Sequence, residues 1–280
     1  MDLPTRIRLV GAAFVFVTGT AGAQLVPSPV PASQEFRVVY SRVITPPIFA
    51  SDAPTHSNIF TVDTGLPIET QITDDNNSFS PVPSPDGSKI VFVRLDPGTC
   101  EGCIIPARYD LAIMHVDGSE VRVLQPLSSR HLSVKWSPDG KSFILNSIVL
   151  AAGPNGEPSS EYHLFLISAE VPAPRIDLGP AQLFGETWSP NGKWIAFGCA
   201  AHPPREYNSS RLCLVSPDAP KDVTVIDEMW GGDSPAWSPD GSALVYFRKE
   251  QRDHILVLTR ISEKKAQSLA SFRQSAGVPV

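Results

Sequence analysis

The chain has 280 residues, is 42% hydrophobic and 19% charged, and carries a formal net charge of −6. A mildly acidic chain without a basic run argues against nucleic acid and against an anionic membrane surface as partners. Its length suits one core, and its 28 prolines concentrate in turns and in a short leader.

Residues 1–23 read as a secretory signal peptide. Arg6 and Arg8 form the basic start, Leu9 to Val17 an apolar stretch too short to span a bilayer, and Ala21-Gly22-Ala23 a small-residue cleavage site before Gln24. No Cys follows the site, so a lipid anchor is not expected, and the address is periplasmic or secreted in a bacterium. After cleavage no membrane insertion is expected. Residues 24–35, with Val26 to Ala32 rich in proline, read as an extended linker.

Beyond the linker, Phe36 to Tyr40, Ile59 to Val62 and Glu69 to Ile72 read as strands. One turn then recurs four times: Ser84-Pro85-Asp86-Gly87, Ser137-Pro138-Asp139-Gly140, Ser189-Pro190-Asn191-Gly192 and Ser238-Pro239-Asp240-Gly241. The glycines Gly87, Gly140, Gly192 and Gly241 are 53, 52 and 49 residues apart, a spacing that marks a repeat protein. Proline sets φ for the second turn position, Asp or Asn suits the third, and Gly takes the left-handed conformation that closes a hairpin. Each turn is followed by an apolar run (Ile90 to Phe92, Phe143 to Leu145, Ile195 to Phe197, Leu244 to Tyr246), the pattern of a strand buried on both faces. Later runs at Leu111 to Val116, Leu164 to Ile167, Leu212 to Val215 and Ile255 to Leu258, with weaker ones at Val121 to Leu124 and Val223 to Ile226, supply further strands. Four antiparallel strands per repeat predict an all-β fold, a β-propeller with blades at about residues 36–73, 78–125, 131–179, 183–227 and 232–272.

Trp136, Trp188 and Trp237 each precede a turn, and the resulting Trp-Ser-Pro-Asp-Gly followed by an apolar strand resembles the repeat of the TolB-like propeller family; Pro83 and Asn191 depart from it. The resemblance covers residues 36–280 and implies a periplasmic or secreted propeller that binds proteins. TolB itself carries an additional α/β domain before its propeller, whereas here the linker leads directly into strands. The first blade lacks an innermost strand, Val278-Pro279-Val280 aligns with the stretch before each turn, and Ala276 to Val280 is expected to pair with Phe36 to Tyr40. Five blades closed by this C-terminal strand are therefore expected; an open part of a six-bladed propeller is the alternative.

Four cysteines in an exported chain favour disulfides. Cys199 ends one strand and Cys213 lies in the next, which makes a bridge sterically possible. Cys100 and Cys103 fall in a loop, where a local disulfide is preferred over redox or metal chemistry.

The innermost strand of a blade precedes the Ser-Pro-Asp-Gly turn, so connections between second and third strands lie at the opposite end. Four are long: Ile44 to Ser57, Asp96 to Asp110, Ala151 to Tyr162 and Ala200 to Ser210. Long, polar, Arg- and Tyr-bearing connections mark that end as the recognition surface. The inter-blade segments on the same side hold Asp75, Arg130, His131, Trp230 and Asp233, with Glu186 on an inner strand: candidate ligand residues at a channel mouth. His56, His163, His202 and His254 sit on different blades and read as separate residues; neither a metal nor a cofactor is expected.

No G-x-S-x-G, H-E-x-x-H or phosphate loop occurs in the sequence. The leading expectation is a non-catalytic, monomeric scaffold that binds a protein or envelope component. The alternative is a propeller enzyme of carbohydrate lyase, hydrolase or lactonase type, which would need the channel-mouth residues to converge.

Overall fold

The computed structural model describes residues 7–10, 37–43, 57–63, 68–96, 108–127, 132–152, 158–170, 175–182, 185–200, 210–230, 235–250, 253–263 and 265–273. Every regular element among them is a strand, and the chain divides into two compact units, Met1–Arg130 and His131–Val280.

The first unit holds two sheets, each with neighbouring strands antiparallel in chain order. One comprises β1 (Ile7–Val10), β2 (Arg37–Val43), β3 (Ser57–Asp63) and β4 (Glu69–Gln71); the other β5 (Ser78–Pro83), β6 (Lys89–Leu95), β7 (Tyr109–His115) and β8 (Arg122–Leu127). Val39 and Ile59 of the first pack on Ile90, Phe92, Ala112 and Met114 of the second, all nearly inaccessible to solvent. The edge of β2 expected to receive Ala276 to Val280 is paired with β1, in the register Ile7↔Tyr40 to Val10↔Arg37. An extended apolar segment from within the predicted signal peptide thus satisfies the backbone of an open edge; residues 276–280 lie outside the described residues.

The second unit holds three such four-stranded sets: β9 (Leu132–Trp136) to β12 (Arg175–Pro180), with β10 (Ser142–Ala152) and β11 (Pro158–Ser168) between; β13 (Thr187–Trp188), β14 (Ile195–Ala200), β15 (Ser210–Ser216) and β16 (Ala219–Trp230); and β17 (Ala236–Trp237), β18 (Ala243–Glu250), β19 (Asp253–Arg260) and β20 (Lys265–Arg273). The last two sets join through the pairing of Trp230 with Arg248. Strand β14 shows why its run is apolar without alternation. Ile195 and Phe197 pack toward Ile144, Leu164 and Leu178, while Ala196 faces Leu244, Tyr246 and Val257 on the other side. The predicted loop Ala151 to Tyr162 is shorter than expected, because β10 and β11 stay paired out to Ala152↔Pro158.

All four turn glycines have positive φ, from 68° to 70°. In each turn the serine hydroxyl donates to the Asp or Asn two residues on (Ser84 to Asp86, Ser137 to Asp139, Ser189 to Asn191, Ser238 to Asp240; 2.6–2.8 Å). The same serine oxygen accepts the backbone N–H five residues on, at Lys89, Ser142, Trp194 and Ala243. The motif therefore closes on itself, which is why it recurs with so little variation.

The tryptophans before the turns are partly buried. Trp188 packs on the cluster around Phe197 and donates from Nε1 to the Lys135 carbonyl of the preceding sheet at 3.1 Å. Trp136 meets Phe143 edge-on, with centroids 5.4 Å apart, and Trp237 packs with Leu244 and Tyr246.

Candidate functional site

The sequence-predicted channel-mouth residues fall into three groups. Arg130, His131 and Asp233 lie outside the described residues, as do Cys100 and Cys103. Asp75, in the first unit, is exposed, but both its oxygens are engaged: Oδ1 accepts the Asn77 N–H at 3.0 Å and Oδ2 the Ser78 hydroxyl at 2.9 Å. The adjoining Asn76 has φ of 57° and is held by Asn58, whose amide exchanges hydrogen bonds with its backbone N–H and side chain. This inter-blade segment is bound to its own sheet. Trp230, in the second unit, ends β16, with its backbone paired to Ser210 and Arg248.

Glu186 is the exception. It lies just before β13, is 4% exposed, and meets Asn146 of β10, which is fully buried. Asn146 Nδ2 donates to the Gln182 carbonyl and, at 3.4 Å, to Glu186 Oε2. Asn146 Oδ1 and Glu186 Oε1 are both buried and receive no hydrogen bond from the described residues. Two unpaired acceptors on a pair of contacting buried residues, one of them a carboxylate, are costly in a protein interior unless a donor or a positive charge meets them. Sequence reading singled out Glu186 but not Asn146, which is 40 residues away and sits in an apolar run.

Asp227 is buried within β16. Its Oδ2 accepts from Arg248 Nε (2.9 Å), Arg248 Nη2 (2.7 Å) and the Tyr246 hydroxyl (2.8 Å), and that hydroxyl also lies 3.1 Å from Thr259 Oγ1. Burial first, and then the bond to Asp227, push the Tyr246 phenol up to about 12, while the Thr259 bond opposes them. The network clamps β16 to β18 and β19. Its neighbour Glu228 pairs with Arg211 at 2.7 Å.

The disulfide Cys199–Cys213 forms between β14 and β15, with a Cα–Cα distance of 5.7 Å. His163 lies 3.0 Å from both oxygens of Asp177 through Nδ1, and 3.7 Å from Glu161 through Nε2. His254 lies edge-on to Phe247; His56 and His202 are outside the described residues. Among the described residues no group of three or more His, Cys, Asp or Glu side chains is arranged to hold a metal, and no helix is long and apolar enough to cross a membrane.

No family model matches the sequence, and no curated protein matches it. Solved structures do match in fold. An oligogalacturonate lyase in complex with manganese aligns with TM-score 0.53 and 15% identity, over 86% of this chain and 63% of that one. A puromycin hydrolase aligns with TM-score 0.53 and 16% identity, over 89% of this chain and 38% of that one. TolB from Acinetobacter baumannii aligns with TM-score 0.48 and 19% identity, over 85% of this chain and 52% of that one. The chain thus spans about half of that TolB and less than two thirds of either enzyme. The fold is a β-propeller of four-stranded blades.

Proposed function

We propose that this chain is an exported, non-catalytic β-propeller scaffold that binds a protein or cell-envelope component through the long connections between the second and third strands of its blades. The observation that carries the reading is the asymmetry of the second and fourth blades, each of which combines a self-closed turn with a long connection between its second and third strands. At one end the Ser-Pro-Asp-Gly turns spend their polar groups internally. Residues 44–56, 97–107 and 201–209 belong to the connections that join β2 to β3, β6 to β7 and β14 to β15, and their sequence includes His202, Arg205 and Tyr207 among other polar and aromatic residues.

Of the channel-mouth acids that the enzymatic alternative draws on, Asp75 holds its own turn. The lyase and hydrolase likenesses concern fold, and a fold hosts many functions. The scaffold acts as a monomer in the periplasm or outside the cell, with the disulfide at the base of the 201–209 connection suiting that compartment.

The test compares capture from envelope extract by the exported chain with capture by variants whose residues 97–107 or 201–209 are exchanged for short Gly-Ser linkers. The reading expects a retained component that both exchanges release. Equal retention by all three chains, or none by any, overturns it.

A further inference from the structure

We propose that Glu186 and Asn146 form a binding site for a hard, oxygen-seeking cation. The two residues come from neighbouring sheets of the second unit and are respectively 4% and 0% exposed. Both hydrogens of the Asn146 amide are used, one on the Gln182 carbonyl and one on Glu186 Oε2. These bonds orient the amide, since a flip would set its oxygen against the Gln182 carbonyl. Asn146 Oδ1 is thereby left as an acceptor, and Glu186 Oε1 is a second one, each buried and without a donor among the described residues.

One carboxylate and one amide oxygen are hard ligands carrying a single negative charge. Soft metals prefer sulfur and imidazole, and neither appears in this set. Calcium tolerates irregular sets of about 6–8 oxygens completed by water, whereas magnesium demands near-octahedral geometry and gives up water reluctantly. The arrangement therefore favours calcium, or a monovalent ion such as sodium, over magnesium. An ion here would tie β10 to the approach of β13.

The test is thermal unfolding and titration calorimetry of the full chain, stripped of metal and then titrated with calcium, magnesium or sodium chloride at constant ionic strength. Calcium should raise the Tm saturably and magnesium should act at least tenfold more weakly; a saturable rise with sodium alone would assign the site to a monovalent ion. Glu186→Gln should fold without added metal, because its amide can donate to Asn146 Oδ1, and should lose the cation-dependent rise. Asn146→Asp, which adds a second carboxylate, should bind calcium at least tenfold more tightly. A wild-type Tm and heat signal indifferent to every cation overturns the proposal and leaves the acceptors to water. A rise that persists unchanged in Glu186→Gln overturns it too, because the ion then binds elsewhere.

Discussion

Asn191 donates from Nδ2 to the backbone carbonyl of Asp240, 49 residues on, at 3.1 Å. The third turn thereby grips the fourth, and its Asn, the one departure from Asp among the four copies, supplies a donor that Asp lacks. Its Oδ1 still accepts from Ser189 and Lys193, as an Asp would. Asn191→Asp should therefore remove the grip and set a carboxylate oxygen against the Asp240 carbonyl, lowering stability by at least about 1 kcal/mol. The same contact makes Gly241 special. A Cβ there would come 2.5 Å from Asn191 Nδ2, whereas one on Gly192 would meet only Pro138 Cδ, at 3.9 Å. Gly192→Ala should cost about 1 kcal/mol from left-handed strain, and Gly241→Ala distinctly more. Urea unfolding of the three variants checks the order.

Tyr246 should make the protein sensitive to alkali. Its folded phenol is raised from 10.0 to about 12, so the stability it contributes is complete below pH 10 and is lost as the pH climbs toward 12. Tyr246→Phe should flatten that part of the stability–pH curve. Asp227→Asn, which weakens a buried acceptor of Arg248 and Tyr246, should cost about 2–3 kcal/mol at neutral pH, less than a fully buried pair because Arg248 is 23% exposed. Chemical unfolding at stepped pH measures both.

The turn aspartates act in the opposite direction. Hydrogen bonds from Ser238 and then from Ser242 lower Asp240 from 3.8 to about 2. Its contribution is present above pH 4 and lost as the pH falls toward 2. Asp240→Asn should lose less stability across that window than the wild type, as followed by acid titration of the far-ultraviolet dichroism.

The turns and apolar strands could be read from sequence because their physics is local: a proline, a left-handed glycine and a serine–aspartate pair lie within six residues of one another. The signals that failed are non-local. Asp227 is not distinguishable from a solvated acid until the bulged pairing of β16 places it beside Arg248 and Tyr246, about 20 residues further on. Asn146 looks like an interruption in an apolar strand, and only the packing of β10 against the approach to β13 gives it Glu186. The edge partner of β2 is hidden from sequence because β1 lies in a segment whose composition is that of a signal peptide.

Cys199 and Cys213 should map to one another in non-reducing peptide digests. Replacing both by alanine should cost about 2–4 kcal/mol, since the bridge closes a loop of 14 residues that includes the 201–209 connection. A pair of free thiols in exported protein would contradict the assignment.

The most direct test of the scaffold account is site-specific photo-crosslinking in intact cells. A photoreactive residue is placed at Ile104 or Arg205 in the long connections, and at Ser88, Lys141 or Lys193 in the short turns. The account predicts discrete adducts from Ile104 and Arg205 and none from the three turn positions. Adducts confined to the turn positions, with Ile104 and Arg205 silent, would contradict it.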